Sequence, residues 1–281
     1  MNRRHFLAIA ASACAAGLLH HGPALAGALT QFAPQQGLIE SPVRDYVSRM
    51  QNFDAPDPAD IILSPERFST LKKATARLAR TERVVGHGNF YILSFDEALR
   101  LADSYPSIGT FSKAEKDLLD EIFHTDASVY GFYGTKPVTR LTERIPQREV
   151  IKVPGMGNWL FKGKPEETWQ AIQQIFGERV ILTSGVRGVV KQFMLFLNKA
   201  VVSEGNLSLA SRSLAPPGYS FHAVSDFDVG QHGFGEANFT ARFTETDIFK
   251  QLEERGYITL RYPQDNLLGV RFEPWHIKVL S

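Results

Sequence analysis

The sequence predicts an α+β fold: a small, mostly antiparallel sheet with flanking helices, preceded by a mainly helical N-terminal region. Three observations lead there. Two capping boxes and several apolar stripes of helical period fall in the first half. From about Tyr130 the chain turns β-prone and rich in Gly and Pro turns. No strand–helix–strand repeat, the unit of a parallel sheet, occurs along it.

Taken in order, residues 27 to about 60 read as an irregular arm rich in Pro, Gln, Asp and Ala, with one short helix near Pro42–Met50. Ser64-Pro65 opens a helix by the cap-then-proline rule, with Phe68, Leu71 and Leu78 along one stripe. Phe90–Leu93 reads as a short strand. Ser94-Phe-Asp-Glu97 and Ser112-Lys-Ala-Glu115 each begin a helix, one through Ala102 and one burying Leu118, Leu119, Ile122 and Phe123. The β-prone part includes Val150-Ile-Lys-Val-Pro-Gly-Met-Gly-Asn158. A helix follows at Pro165–Phe176, stopped by Gly177, then a buried strand at Val180–Thr183. Ser184-Gly-Val-Arg187 turns the chain into an apolar helix from Val189 to Val202. After a Pro-Pro-Gly loop at 216–218, a helix near Glu245–Arg255 and a hairpin of Tyr257–Tyr262 with Gly269–Phe272 complete the chain. By composition the chain divides into residues 1–26, a helical region 27–149 and a second region 150–281.

The first segment is an address rather than structure. Asn2-Arg3-Arg4-His5-Phe6-Leu7 has the form of a twin-arginine n-region, an apolar run reaches about Leu19, and Ala24-Leu25-Ala26 is a small-residue cleavage site. A Tat-type signal cut after Ala26 predicts a periplasmic or secreted protein. The run is shorter than the roughly 20 apolar residues of a spanning helix. The mature form is expected to have no membrane span. The only cysteine, Cys14, leaves with the signal, so disulfides and thiolate chemistry are excluded from the mature protein. Losing Arg3 and Arg4 from 31 basic residues, against 30 acidic ones, takes the formal charge from +1 to −1. That balance gives no footing for nucleic acid. A monomer is expected.

The chemistry is concentrated near the C-terminus, in Ser220-Phe-His222-Ala-Val-Ser-Asp226-Phe-Asp228-Val-Gly230 and Glu273-Pro-Trp-His276. Two imidazoles, a carboxylate and a spare glutamate are the inventory of a catalytic zinc site, with Zn2+ on three protein ligands and a general base beside it. His222 and His276 supply the imidazoles. Asp228 or Asp226 supplies the carboxylate, and strand alternation cannot choose between them. Fully extended, the interval would span roughly 20 Å, so the chain must fold back, at Ala223-Val-Ser225. Glu273 is the candidate base. Pro274 makes regular pairing there unfavourable, which lets Glu273 and His276 face the same way despite their odd spacing. Arg187, at its strand-to-helix turn, is placed to grip a substrate carboxylate. Gln192 offers an amide one helical turn on. His87 and His124 read as surface or capping groups. His232 is a weaker candidate for the cleft. Asn158 and Trp159 fit a β-turn better than a cleft wall.

These fragments resemble the zinc D-alanyl-D-alanine carboxypeptidases and dipeptidases, the family of the vancomycin-resistance D,D-peptidases, which shares its fold with the Hedgehog signalling domain. The resemblance is carried by Ser184-Gly-Val-Arg187…Gln192, Ser220-Phe-His222…Asp228-Val-Gly230, Arg261-Tyr-Pro263 and Glu273-Pro-Trp-His276, within about residues 150–281. It implies His222, Asp228 and His276 as zinc ligands, Glu273 as base, Arg187 as carboxylate anchor and Ser220 as a contact to substrate or to the ligands. The His-to-Asp interval is one residue shorter than the family's, and Ser225 and Phe227 replace a glycine and a small residue. Asp226 is an extra carboxylate that keeps a claim to the metal. The activity implied is removal of the terminal D-Ala from peptidoglycan stem peptides. The alternatives are a non-catalytic zinc-containing module that binds cell wall, and a murein endopeptidase.

Overall fold

The structure is a computed structural model that describes Tyr46 and residues 48–279. The twin-arginine segment, its cleavage site and most of the arm lie outside the described residues. Of the helix expected near Pro42–Met50, Tyr46 and residues 48–51 are described and helical.

The first long helix, α1 (Pro65–Val85), starts where the Ser64 hydroxyl accepts the Arg67 N–H, and it buries Leu71, Ala74 and Leu78. Gly86, at φ 84°, stops it. The next segment corrects the sequence reading: Phe90–Leu93 is not a strand. His87–Phe90 forms a single helical turn, α2, followed by a turn. Gly86 supplies the left-handed residue that lets the chain restart, and the Phe90 N–H bonds its carbonyl. Asn89 caps the end of α1 by donating to the Val85 carbonyl. The Tyr91 carbonyl is taken by the Gly188 N–H, so no ladder forms. Helices α3 (Phe95–Ser104) and α4 (Lys113–His124) both begin with closed capping boxes. Glu115 also takes a two-pronged bond from Arg77, which ties α4 to α1.

In the second half, β1 (Val150–Lys152) and β2 (Trp159–Phe161) form an antiparallel hairpin around the Pro-Gly-Met-Gly turn. Helix α5 (Lys164–Phe176) ends at Gly177, φ 58°. Strand β3 (Val180–Ser184) leads through the 185–188 turn into α6 (Val189–Val202), and α7 (Leu207–Ser213) follows. Strand β4 (Phe227–Gln231) is the centre of a three-stranded antiparallel sheet in the order β3-β4-β5, where β5 is His276–Ile277. Helix α8 (Asp247–Glu254) is capped by Thr246.

The expected C-terminal hairpin is the second correction. Tyr257–Tyr262 and Gly269–Phe272 are not paired strands. The Lys278 N–H bonds Thr259 and a bridge joins Leu260 to Ile277, so the first segment lies along β5 instead. The second segment is held elsewhere: the Arg271 N–H donates to Arg212, and Leu268 accepts from Tyr133. Gly269, at φ 75°, sits so close to the Gly131 carbonyl that a Cβ would lie 1.7 Å from it. Strand-like composition lost here to backbone partners far away in sequence.

Two cores meet at the 185–188 turn. One joins α1, α2, α3, α4, α6 and α7 through residues such as Leu71, Phe90, Leu119, Phe123, Phe193 and Leu197. The other joins α5, α8 and the sheet through Trp169, Phe176, Val180, Phe227 and Ile277. Packing therefore runs across the compositional boundary near 149–150, because α6 belongs to the helical core. All described residues belong to one compact unit, Arg44–Ser281.

Gly185 is the tightest point of that junction. The Val186 N–H donates to the Trp159 carbonyl at 2.7 Å, and a Cβ on Gly185 would stand 1.9 Å from the same oxygen. Gly185→Ala is expected to push β2 away from the turn and cost about 1–3 kcal/mol, the usual range for overpacking. Denaturant unfolding reads this, and an unchanged midpoint would contradict it.

Candidate active site

The sheet builds the site by register. Asp228, on the central strand, pairs with Ser184 on one side and His276 on the other. Thr183 is an extra residue in β3, a bulge that sets Ser184 opposite Asp228. His222 arrives from outside the sheet. Residues 221–223 form a 3-10 turn, and the Ser225 and Asp226 N–H groups both return to the Phe221 carbonyl. The fold-back expected at Ala223–Ser225 is therefore present. The Arg187 N–H fixes this turn by donating to the His222 carbonyl at 3.0 Å. Pro274-Trp275 forms a turn before β5, which brings Glu273 to the same side as His276.

His222, Asp228 and His276 each present a ligand atom, and these atoms lie within 4.8 Å of one another, all from buried residues. His222 Nδ1 faces the Gly185 carbonyl at 2.7 Å, so it donates there and leaves the Nε2 lone pair turned toward Asp228, at 3.1 Å, and toward the Arg187 guanidinium. His276 Nε2 faces Asp226 at 3.1 Å, and Nδ1 lies on the side of Glu273 and Asp228, at 3.1 and 3.7 Å. Asp226 is in turn held by an Arg261 fork at 2.8 and 3.1 Å and by the Val279 N–H. The two aspartates thus divide the work: Asp228 lies between the two imidazoles, and Asp226 steadies the far edge of His276. A carboxylate or carbonyl behind each imidazole is the usual support of a metal-binding histidine.

The electrostatics fit a cation. Burial, and then the Arg187 charge, hold His222 below its ordinary value, which keeps it neutral as a ligand must be. Burial alone would lower His276 too, but bonds to Asp226 and Glu273 outweigh it and push it up to about 9. Burial opposes ionisation of Asp228, yet the imidazoles and Arg187 hold it down at about 2. For Asp226, bonds from His276 and Arg261 likewise overcome burial and keep the carboxyl far below its ordinary range. The three carboxylates around His276 set up a field that stabilises positive charge, whether a proton or a metal. Two imidazoles and a carboxylate are a donor set suited to zinc.

A cleft of about 430 Å³ opens onto these groups. Arg187, Gln192, Ser220 and Glu273 all line it, so the structure gathers the site residues read from the sequence. Their contacts differ from expectation in one respect. Arg187 does not stand clear: it donates to Asp228 at 2.8 Å and also abuts His222 Nε2. Its Nε is buried without a partner, as are Gln192 Oε1 and Thr183 Oγ1. Gln192 donates to the Ala215 carbonyl. His87 and His124 are exposed, beside Glu82 and Asp120. His232 is exposed and lies outside the cleft. Asn158 is buried and bonds the Leu182 carbonyl, and Trp159 bonds Gly88, so both are packing groups.

Sequence reasoning missed Tyr91, Lys191 and Arg271, which also line the cleft. Arg271 had a signal, since it stands two residues before Glu273, a spacing that puts side chains on one face of an extended segment. Tyr91 had none, because it comes from the helical half.

Residues 165–280 match the family model described as VanY, D-alanyl-D-alanine carboxypeptidase. No curated protein matches the chain. Several solved structures are similar to part of this chain. The LdcB LD-carboxypeptidase is 19% identical, with 48% of this chain and 69% of that one covered, at a TM-score of 0.40. The D,D-pentapeptidase VanY of a VanB-type resistance cassette, in complex with Zn(II), is 22% identical, with 49% and 83% covered, at 0.38. VanYB in complex with D-alanine-D-alanine is 24% identical, with 49% and 81% covered, at 0.39. The segment that matches the VanY D-alanyl-D-alanine carboxypeptidase family model contains every member of the constellation from Arg187 to His276.

Proposed function

We propose that this is a secreted zinc carboxypeptidase that removes the terminal D-Ala from peptidoglycan stem peptides. The observation that carries the reading is the convergence of His222, Asp228 and His276 beside the buried carboxylate of Glu273. When bound to those three residues, zinc supplies Lewis acidity toward a carbonyl oxygen and toward water. Glu273 accepts a proton from the attacking water and returns it to the departing amine. Gln192 Oε1 and Thr183 Oγ1, both buried and without protein partners, are available to the peptide backbone. Arg187 serves the free C-terminal carboxylate. It shares its present acceptors, Asp228 and His222, with the metal, so the two compete for the same lone pairs. Export follows the twin-arginine segment at Arg3-Arg4.

Purified muropeptides incubated with the zinc-loaded protein test this by mass spectrometry. Loss of one alanine from pentapeptide stems is expected. Loss of a dipeptide, cleavage of a cross-link or no change would each overturn the carboxypeptidase reading.

A further inference from the structure

Three cations line the cleft, and two are already matched. Arg187 pairs with Asp228 at 2.8 Å, and Lys191 pairs with Glu82 at 3.2 Å. Arg271 has no carboxylate partner among the described residues, and its Nε is buried without an acceptor. The structure nevertheless holds this guanidinium in place. It lies over the Trp275 ring, 4.9 Å from its centroid, and over the Phe53 ring, 5.3 Å from its centroid. A guanidinium packed on two aromatic rings keeps its charge and its donors while losing side-chain freedom.

Phe53 is itself fastened. The buried Arg212 takes the Phe53 and Ala55 carbonyls and forks onto Asp60 at 2.7 and 2.8 Å. Asn206 adds a bond to Asp60 at 2.7 Å. The Arg212 carbonyl in turn accepts the Arg271 N–H. One clasp thus fixes both the backbone of Arg271 and the ring beneath it. A fixed, unmatched guanidinium in a substrate cleft is a reader of anions.

We propose that Arg271 recognises a second carboxylate of the substrate, on a side chain rather than at the C-terminus, and so selects acidic peptides, with Phe53 as its positioning residue. This rests on the carboxypeptidase reading, which gives the terminal carboxylate to Arg187. The acids lining the cleft are Asp228, Glu236 and Glu273, and none of them is bonded to Arg271.

The test uses paired peptides ending in D-Ala-D-Ala, with Glu or Gln at the preceding position. Wild-type protein is expected to show a lower KM for the Glu peptide, by about tenfold. Arg271→Gln should erase that preference with kcat kept, Arg271→Lys should restore part of it, and Phe53→Ala should weaken it. Calorimetric binding of both peptides to a Glu273→Gln background reads the same preference without turnover. It therefore decides the point even if D-Ala release itself is not found. Equal affinity for the two peptides in wild type, or an equal loss on both in Arg271→Gln, would overturn the proposal.

Discussion

Asp228→Ala is expected to abolish stoichiometric zinc and with it all peptidase activity, as are His222→Ala and His276→Ala. Each removes one of only three ligands, and no described neighbour is free to replace it. Asp226 is the nearest substitute, but its oxygens are engaged by Arg261, His276 and the Val279 N–H. Asp226→Asn therefore gives a different outcome. It keeps the three ligands and loses the charge behind His276, which is expected to weaken metal affinity by roughly 10–100-fold. Zinc content after gel filtration, and a chelator competition, separate the two classes. Full zinc occupancy in Asp228→Ala, with loss in Asp226→Asn, would show that the shortened His-to-Asp interval had moved the ligand. Folding is not expected to fail in any of them, since two extensive apolar cores do not depend on one ion.

Much of this site is legible in the sequence because its constraints are local. The Ser184–Arg187 turn needs a glycine against the Trp159 carbonyl, and Gly185 announces it. Pro274 announces the irregular strand end that turns Glu273 toward His276. The capping boxes at Ser94 and Ser112 close as residue spacing requires. What stays hidden is set by partners distant along the chain. Phe90–Leu93 has the composition of a strand, but its Tyr91 carbonyl is taken by Gly188 of the 185–188 turn. Gly269–Phe272 looks like half of a hairpin, yet Arg212 holds its backbone at Arg271, and Tyr133 holds the preceding Leu268. Residue spacing alone leaves Asp226 and Asp228 open, and it is the resemblance that points to Asp228. The Arg261 fork, 35 residues away, occupies Asp226 together with His276 and the Val279 N–H.

Glu273 and Arg187 touch the same ligand cluster, and kinetics can tell their roles apart. Glu273→Gln keeps the size of the side chain and its ability to face His276, but removes the basic oxygen. Zinc content and substrate affinity should persist while kcat falls by about 10²–10⁴-fold, the usual cost of losing a general base. Arg187→Ala should act mainly on KM, because the group it loses grips a carboxylate present in both substrate and transition state. It should also narrow the difference between free and amidated C-termini. The two substitutions differ in their consequences for the metal as well. Arg187 competes for Asp228 and His222 Nε2, so its removal should tighten zinc, whereas Glu273 accepts none of the ligand bonds except that of His276. Near-wild-type turnover in Glu273→Gln would sink the proposed mechanism even with zinc in place. A fall in kcat alone for Arg187→Ala, with no change in the discrimination of the C-terminus, would move Arg187 from anchoring the substrate to stabilising the transition state.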